Sequence, residues 1–497
     1  MRKKTGPLAP FFVAQRKSFL SSSQVSSSTS MWFGHLPVLL FLVAVPGCAS
    51  LVEAFGAHDV SRIAQVLVCS ITALVLAWST VVGRPGDPLR RDLALASAAA
   101  LSLALLSVWH APDRPAAMRE LAMFLGLFSI SAVVACSRRK EQLEVMAVVA
   151  MGAALLNAGL VLLLMVSAVV RGDPLDLFSI VPGYDNPRFL SHVQTVMLPL
   201  SAIAAGPSFR RGEFSRLAWA AMALNFVVVY FAHGRATGLA LLGASLLALL
   251  LFGRAAVPLL FRLAGAAVVG LVIYLVLFIW VPSLLSEAPK SWRGVADTNS
   301  FQERLKLWRL AIDYVAREPW LGIGPMHYAH FLNPIAAHPH NFYLQLASEW
   351  GLPMLLGLLA WAAWALRRMT RAIAVIGNND QSTMGIALFC AVVAAAIDGI
   401  FSGNFVMPVA QVWIAFALGW AVAWTRLHAR SVAGSTSAHW PRAVSSLCAL
   451  FVFASQLWLC GSIAPEVADL QLHLDQVSTR FSNGAPLAAR FWSTGWF

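Results

Sequence analysis

Apolar runs of membrane-spanning length recur from one end of this chain to the other, and that recurrence limits the possible folds more than any motif. They lie near residues 33–52, 61–82, 92–109, 118–137, 145–170, 189–206, 216–233, 236–252, 256–281, 341–366, 383–400, 405–425 and 443–463. A helix of about 20 apolar residues crosses a hydrocarbon core roughly 30 Å thick. Composition agrees: 59% of the 497 residues are hydrophobic, 12% are charged, and the mean hydropathy is +0.70. The expectation is therefore an all-α polytopic membrane protein with 12–13 transmembrane helices. The seventh and eighth runs are short and hinge at Gly234-Arg235.

Charge sorting tests the spans independently. With the N-terminus in the cytoplasm and strict alternation, one side collects Arg2/Lys3/Lys4, Arg16/Lys17, Arg84/Arg90/Arg91, Arg138/Arg139/Lys140 and Arg210/Arg211/Arg216. The same side also takes Arg254/Arg262, Arg367/Arg368/Arg371 and Arg426/Arg430/Arg442. That makes 22 Lys and Arg, against 6 Asp and Glu at Asp87, Asp92, Glu141, Glu144, Glu213 and Asp380. Such a bias is the positive-inside signature. The net charge of +13 then reports topology, and no nucleic-acid recognition module accompanies it. The assignment puts residues 301–340 outside the cytoplasm, where nucleotide-activated donors are absent. A synthetic reaction there needs a substrate that arrives already activated.

The expected organisation follows. Residues 1–30 form a basic, Ser-rich, disordered N-terminus, and 31–281 hold transmembrane helices 1–9. Residues 282–340 form a large external loop, 341–463 the C-terminal spans, and 464–497 a polar tail without a usable motif. Cysteines 48, 69, 136, 390, 448 and 460 sit in or beside apolar runs without metal or disulfide spacing, as small hydrophobes do.

The chemistry concentrates between Phe301 and Pro353. Phe301, Leu305, Trp308, Ile312 and Val315 recur at helical spacing with polar residues between them, which predicts an amphipathic helix ended by Pro319. Gly322 and Gly324 make a joint. His338-Pro339-His340-Asn341 then precedes a new apolar run. Pro339 biases His338 to extended backbone, and Asn341 can cap the next helix.

Several polar residues on this side carry both a functional and a plain reading. Arg188, in a turn-rich loop entering a span, is a fixed surface cation or a snorkelling arginine. Arg235 sits between two apolar runs, where a charge normally has a partner or a ligand. Arg304 and Arg309 are either ligands of an anion or a solvated face paired with Glu303 and Asp313. His327, His330, His338 and His340 suit a general base, structural hydrogen bonding or a metal; no carboxylate falls among them, and their spacing matches no standard zinc pattern. Asn341, Gln345 and Glu349 share a helix face and can orient an imidazole or satisfy polar neighbours.

Three segments of this stretch together resemble the O-antigen ligase family of bacterial inner-membrane proteins. They are Arg304-x-x-Leu-x-x-Trp308, Glu318-Pro-Trp-Leu-Gly322-Ile-Gly324 and His338-Pro-His-Asn-Phe-Tyr-Leu-Gln345-Leu-Ala-Ser-Glu349-Trp-Gly351. The turn Gly234-Arg-Ala-Thr237 supports the likeness. The resemblance implies a GT-C-like helical bundle in the inner membrane, with one large periplasmic loop that contains an amphipathic helix. It implies a glycosyltransferase without metal or cofactor that moves a glycan from undecaprenyl diphosphate to an acceptor on the periplasmic side, with lipid A–core the leading choice. It implies that His338 and His340 cover the essential histidine region, with His338 the first choice of base, and that Arg188, Arg235 and Arg304 grip the diphosphate.

Residue chemistry fits that scheme. Arginines stabilise charge on a departing diphosphate, one base deprotonates the acceptor hydroxyl, and direct attack inverts the anomeric centre. The amphipathic helix meets the bilayer surface, where both lipid-linked substrates present their headgroups. Other acceptors share the signature, so protein O-glycosylation and O-antigen polymerisation are alternatives, and a lipid-linked glycan transporter is the non-enzyme alternative. The short tail and the spans after the loop favour the ligase.

Overall fold

The computed structural model describes residues 22–49, 55–82, 91–171, 181–206, 212–280, 300–331, 333, 335–377, 379–429, 442–480 and 489–495. Among them all regular structure is helical. In chain order the helices are α1 Ser22–Cys48, α2 Ala57–Val81, α3 Arg91–His110, α4 Arg114–Ala135, α5 Lys140–Arg171, α6 Pro187–Ala204, α7 Gly212–Phe231 and α8 Arg235–Phe252. There follow α9 Val257–Leu275, α10 Ser300–Arg317, α11 Phe342–Trp350, α12 Leu352–Ile376, α13 Asp380–Phe401, α14 Pro408–Ala429, α15 Arg442–Ala468 and α16 Leu470–Arg480.

The expected spans overlap helices, and among the described residues nine helices are long and apolar enough to cross a membrane: α2, α4, α5, α7, α8, α9, α13, α14 and α15. Four expected spans lie outside these nine. In α1 and α3 the described side chains form the apolar stretches His35–Cys48 and Ser97–His110. Helix α6 carries a buried polar row of Ser191, His192, Gln194 and Thr195. The expected span 341–366 is two helices, α11 and α12. Gly351 breaks it with φ at 85°, a left-handed value that glycine adopts without penalty. A Cβ there would collide with the Trp320 carbonyl, and the Leu352 N–H donates to the Pro319 carbonyl at 2.8 Å.

Helix α11 packs on both α10 and α12, just after the boundary expected at 340/341. Residues 1–21 and 281–299 lie outside the described residues, and α1 begins at Ser22, inside the segment expected to be disordered.

Burial sorts the helices into layers. Helix α14 has 83% of its apolar window buried and α13 72%, whereas α9 has 17%. Helices α4 and α2 pack on α14, α6 and α8 on α13, and α7 against α9. The outer helices present Leu250, Phe261 and Val268 outward, as lipid-facing surfaces do. Close approach depends on small residues: Gly270 lies under the Ala223 carbonyl and Gly126 against Cys69. All six cysteines are free.

Alternation of the helices gathers one set of connections at one end. There the Ala57 and His58 N–H groups donate to Asp185 (2.8 and 2.9 Å), the Asp113 N–H donates to His327 Nε2 (2.9 Å), and Arg62 reaches the Val406 carbonyl (2.7 Å). These connections are the ones that charge sorting set apart from the basic loops.

Candidate active site

The site is built from three helix starts. Asn186 caps α6, its side chain accepting the Arg188 N–H at 2.9 Å, and Pro187 occupies the first helical position, where its missing donor costs nothing. Arg188 follows. Arg235 opens α8 directly after Gly234, in a turn tight enough to hold His233 at φ 49°. Thr195 Oγ1 donates to Thr237 Oγ1 (3.0 Å) and Thr237 Oγ1 donates to the Ser191 carbonyl (2.8 Å), which locks the first turn of α8 against α6. Asn341 caps α11 by accepting the Leu344 N–H at 3.0 Å, as the sequence predicted. Helix N-termini carry partial positive charge, so this end is electropositive before any side chain is counted.

Helix α10 supplies Arg304 and Trp308 on one face, four residues apart. Its apolar stripe of Leu307, Ala311 and Tyr314 packs on Tyr328 and Ile323. Trp308 Nε1–H donates to the Pro339 carbonyl at 3.1 Å, fixing the histidine loop over the arginine's face of the helix. Arg309 points elsewhere: it is exposed, two residues and about 200° round the helix from buried Leu307.

Electrostatics brings the remaining arginines together. Arg304 has its proton affinity lowered by burial, then by the positive charges of Arg188 and Arg235, with Asp398 opposing. His340 is pushed down to about 3 by burial, then Arg304, Arg188 and His192. The guanidinium groups of Arg188, Arg235 and Arg304 make no hydrogen bond or ion pair among the described residues. Arg304 is half-buried, whereas Arg188 and Arg235 are exposed.

The structure sets His327 apart from His338 and His340. His327 is structural: Nδ1–H donates to the Pro325 carbonyl (2.8 Å), Nε2 accepts the Asp113 N–H, and burial keeps the ring neutral. His338 is 3% exposed, packed where a Cβ on Gly403 would collide with its ring. Its Nδ1 accepts the His340 N–H at 3.3 Å, so the neutral ring carries its proton on Nε2; burial, then His340 and Arg490, hold it well below the ordinary histidine range. His340 stands edge-on to His338, ring centroids 4.2 Å apart, half-buried and with φ at 51°. A non-glycine residue in that region is uncommon and turns its side chain away from the direction of the chain.

Two contributors were not singled out in the sequence. His192 lies four residues after Arg188 on α6, and its Nδ1 meets buried Asp398 Oδ2 at 3.1 Å. The i,i+4 spacing from Arg188, and an aspartate inside an apolar run, were the signals that could have found this pair. The C-terminal tail also returns to this end: Arg490 is 2% exposed and pairs with Glu120 (2.8 Å) and Glu349 (2.6 Å). Glu349 thus satisfies Arg490 and the Tyr328 N–H, not an imidazole.

Residues 220–362 match the family model described as O-antigen ligase (Wzy_C). The match runs from α7 into α12 and contains Arg235, Arg304, Arg309, His338, His340 and Asn341, while Arg188 and His192 lie before it. No curated protein matches the chain.

Proposed function

We propose that this chain, which carries an O-antigen ligase family region, is the periplasm-facing, inner-membrane enzyme that transfers O-antigen glycan from undecaprenyl diphosphate to lipid A–core. The observation that carries the reading is that Arg304 on α10 lies in the field of Arg188 from α6 and Arg235 from α8, that Arg304 and Arg188 also act on His340, and that none of the three arginines has a hydrogen-bond or ion-pair partner among the described residues. A diphosphate offers the charge that such a group lacks, and arginine binds phosphate oxygens in bidentate fashion.

In the proposed step the acceptor hydroxyl loses its proton to an imidazole while its oxygen attacks the anomeric carbon. The bond from that carbon to the diphosphate oxygen breaks, and its electron pair leaves with the diphosphate, whose charge the guanidinium groups stabilise. Single displacement inverts the anomeric centre. We assign the proton to His340 in preference to His338, because the His338 ring is enclosed and its Nδ1 already accepts a backbone N–H. A bound diphosphate would also cancel the positive field of Arg188 and Arg304, raising His340 towards the ordinary histidine range. Donor binding then prepares the base.

The test is purified protein in nanodiscs with undecaprenyl-diphosphate glycan and lipid A–core, without nucleotide or added metal, read as a mobility shift of the acceptor. Glycan transfer to lipid A–core is the expected result. Strict dependence on a nucleotide or a divalent cation would overturn the scheme.

A further inference from the structure

The returning tail makes contacts that the transfer scheme does not use. Arg62 on α2 donates all of its N–H groups within the protein. Nε and Nη2 donate to the Phe491 and Arg490 carbonyls (3.1 and 2.9 Å), Nη2 also to the Val406 carbonyl, and Nη1 to Gln65 and Gln411. His58 Nε2–H donates to the Phe491 carbonyl at 3.2 Å. Asp59, fully buried, accepts both the N–H and the hydroxyl of Ser493 at 2.7 Å. Trp492 Nε1–H donates to Glu466 at 2.7 Å, and Glu466 also pairs with Arg119. The segment is therefore held at its backbone and at four consecutive side chains, with Phe491 beside Arg62.

From this anchor two routes lead to the candidate active site. Arg490 Nη2 donates to Glu349 Oε2, while Glu349 Oε1 accepts the Tyr328 N–H at 3.0 Å. The Tyr328 hydroxyl donates to the Leu307 carbonyl on α10 at 3.0 Å, and the Gly324 N–H donates to the Glu349 carbonyl at 3.1 Å. Glu349 thus ties the tail to α10, to the joint at Gly322–Gly324, and to α11, whose first turn follows His340. The second route runs from Asp59 through the start of α2, whose Ala57 and His58 N–H groups hold Asp185, to Arg188 three residues on.

We infer that Arg490–Ser493 is an intramolecular strap, with Arg490 a positioning residue that sets α11 and the His338–His340 loop against the arginines. The inference rests on the glycosyl-transfer reading for its kinetic test but not for its structural one. An unpaired buried carboxylate is strongly unfavourable, so loss of Arg490 releases α11 from its place without touching Arg188, Arg235 or Arg304.

The test uses the full chain in nanodiscs as wild type, Arg490→Ala and Arg490→Lys. Amide exchange at Tyr328 and across 340–345 should rise about tenfold or more in Arg490→Ala relative to α7–α9, as for loss of a local restraint. Transfer kcat should fall about 10- to 100-fold, with donor affinity within about threefold, as a misplacement near 1 Å does. Arg490→Lys keeps the charge and should recover most of the rate; it also serves if the alanine variant fails to fold. Exchange and kcat at wild-type levels in Arg490→Ala would overturn the strap; where that variant does not fold, an Arg490→Lys chain that loses rate with no rise in exchange would overturn it. So would exchange rising equally in α7–α9, or donor affinity falling in step with kcat. A wild-type chain that transfers no glycan would overturn the glycosyl reading, and the exchange comparison alone would then decide the strap.

Discussion

Two groups of arginines stand at the same end of this bundle and are treated in opposite ways. Around Arg62 and Arg490, charges are buried and paired: Arg62 spends every donor on the protein, and Arg490 sits between two carboxylates. Around Arg188, Arg235 and Arg304, no guanidinium has a hydrogen-bonding partner among the described residues, and three positive charges are brought together at helix N-termini. The first arrangement stabilises the protein. The second leaves three cations without a fixed partner among the described residues, two of them, Arg188 and Arg235, exposed. Residue type does not separate the two; the presence of a fixed partner does.

The comparison predicts a double dissociation. The largest effect is expected at the open group: Arg304→Ala should lower transfer about 10²- to 10³-fold, the range for removing a donor to a developing anion. Its thermal midpoint should be unchanged or higher, since a repelling charge has gone. Equal loss of stability in Arg304→Ala and Arg62→Ala would break the comparison.

His340→Ala should lower kcat about 10²- to 10⁴-fold while leaving donor binding intact, the range for a lost general base. If His338→Ala proves the more damaging in single-turnover rate at equal stability, the roles assigned to the two rings are reversed.

At the closed group, Arg62→Ala should destabilise the fold by about 3–5 kcal/mol, as removal of one partner from a buried charged network does. Chemical denaturation in detergent checks it.

A smaller effect concerns pH. His340 is lowered to about 3, and His338 also lies well below the ordinary range. An unfolded chain takes up protons at these rings near 6.5 while the folded one refuses them, so stability is full above about pH 6.5 and is lost as pH falls towards 3. The thermal midpoint should decline through that window and decline less in His340→Ala. The donor-free enzyme should keep its proton-accepting imidazole at pH 5, so kcat/KM should lack the usual histidine limb near 6.5. The smallest effect is at Arg309, which points away: Arg309→Ala should change transfer by less than about twofold, as surface substitutions do.

Much of this was legible in the sequence because the relevant physics is local. The cap at Asn341, the helix Ser300–Arg317 ending before Pro319, and the loop arginines all follow from residues a few positions apart. The break at Gly351 was not legible, since the run on either side is apolar and its cause is the Trp320 carbonyl packed against it. The pairing of His192 with Asp398 was missed because it spans 206 positions.

What the amino-acid order alone determined is the apolar, helical character of the chain and the bias of its basic residues to one set of connections, because transfer of apolar and charged groups between water and lipid is scored along each segment by itself. What only the tertiary structure decided is which charges are neutralised. Arg490 and Glu120 are 370 positions apart, and Arg188, Arg235 and Arg304 lie on three separate helices. A charge becomes structural or available according to what folding places beside it, and Coulomb interactions depend on that distance in space and not on position in the chain.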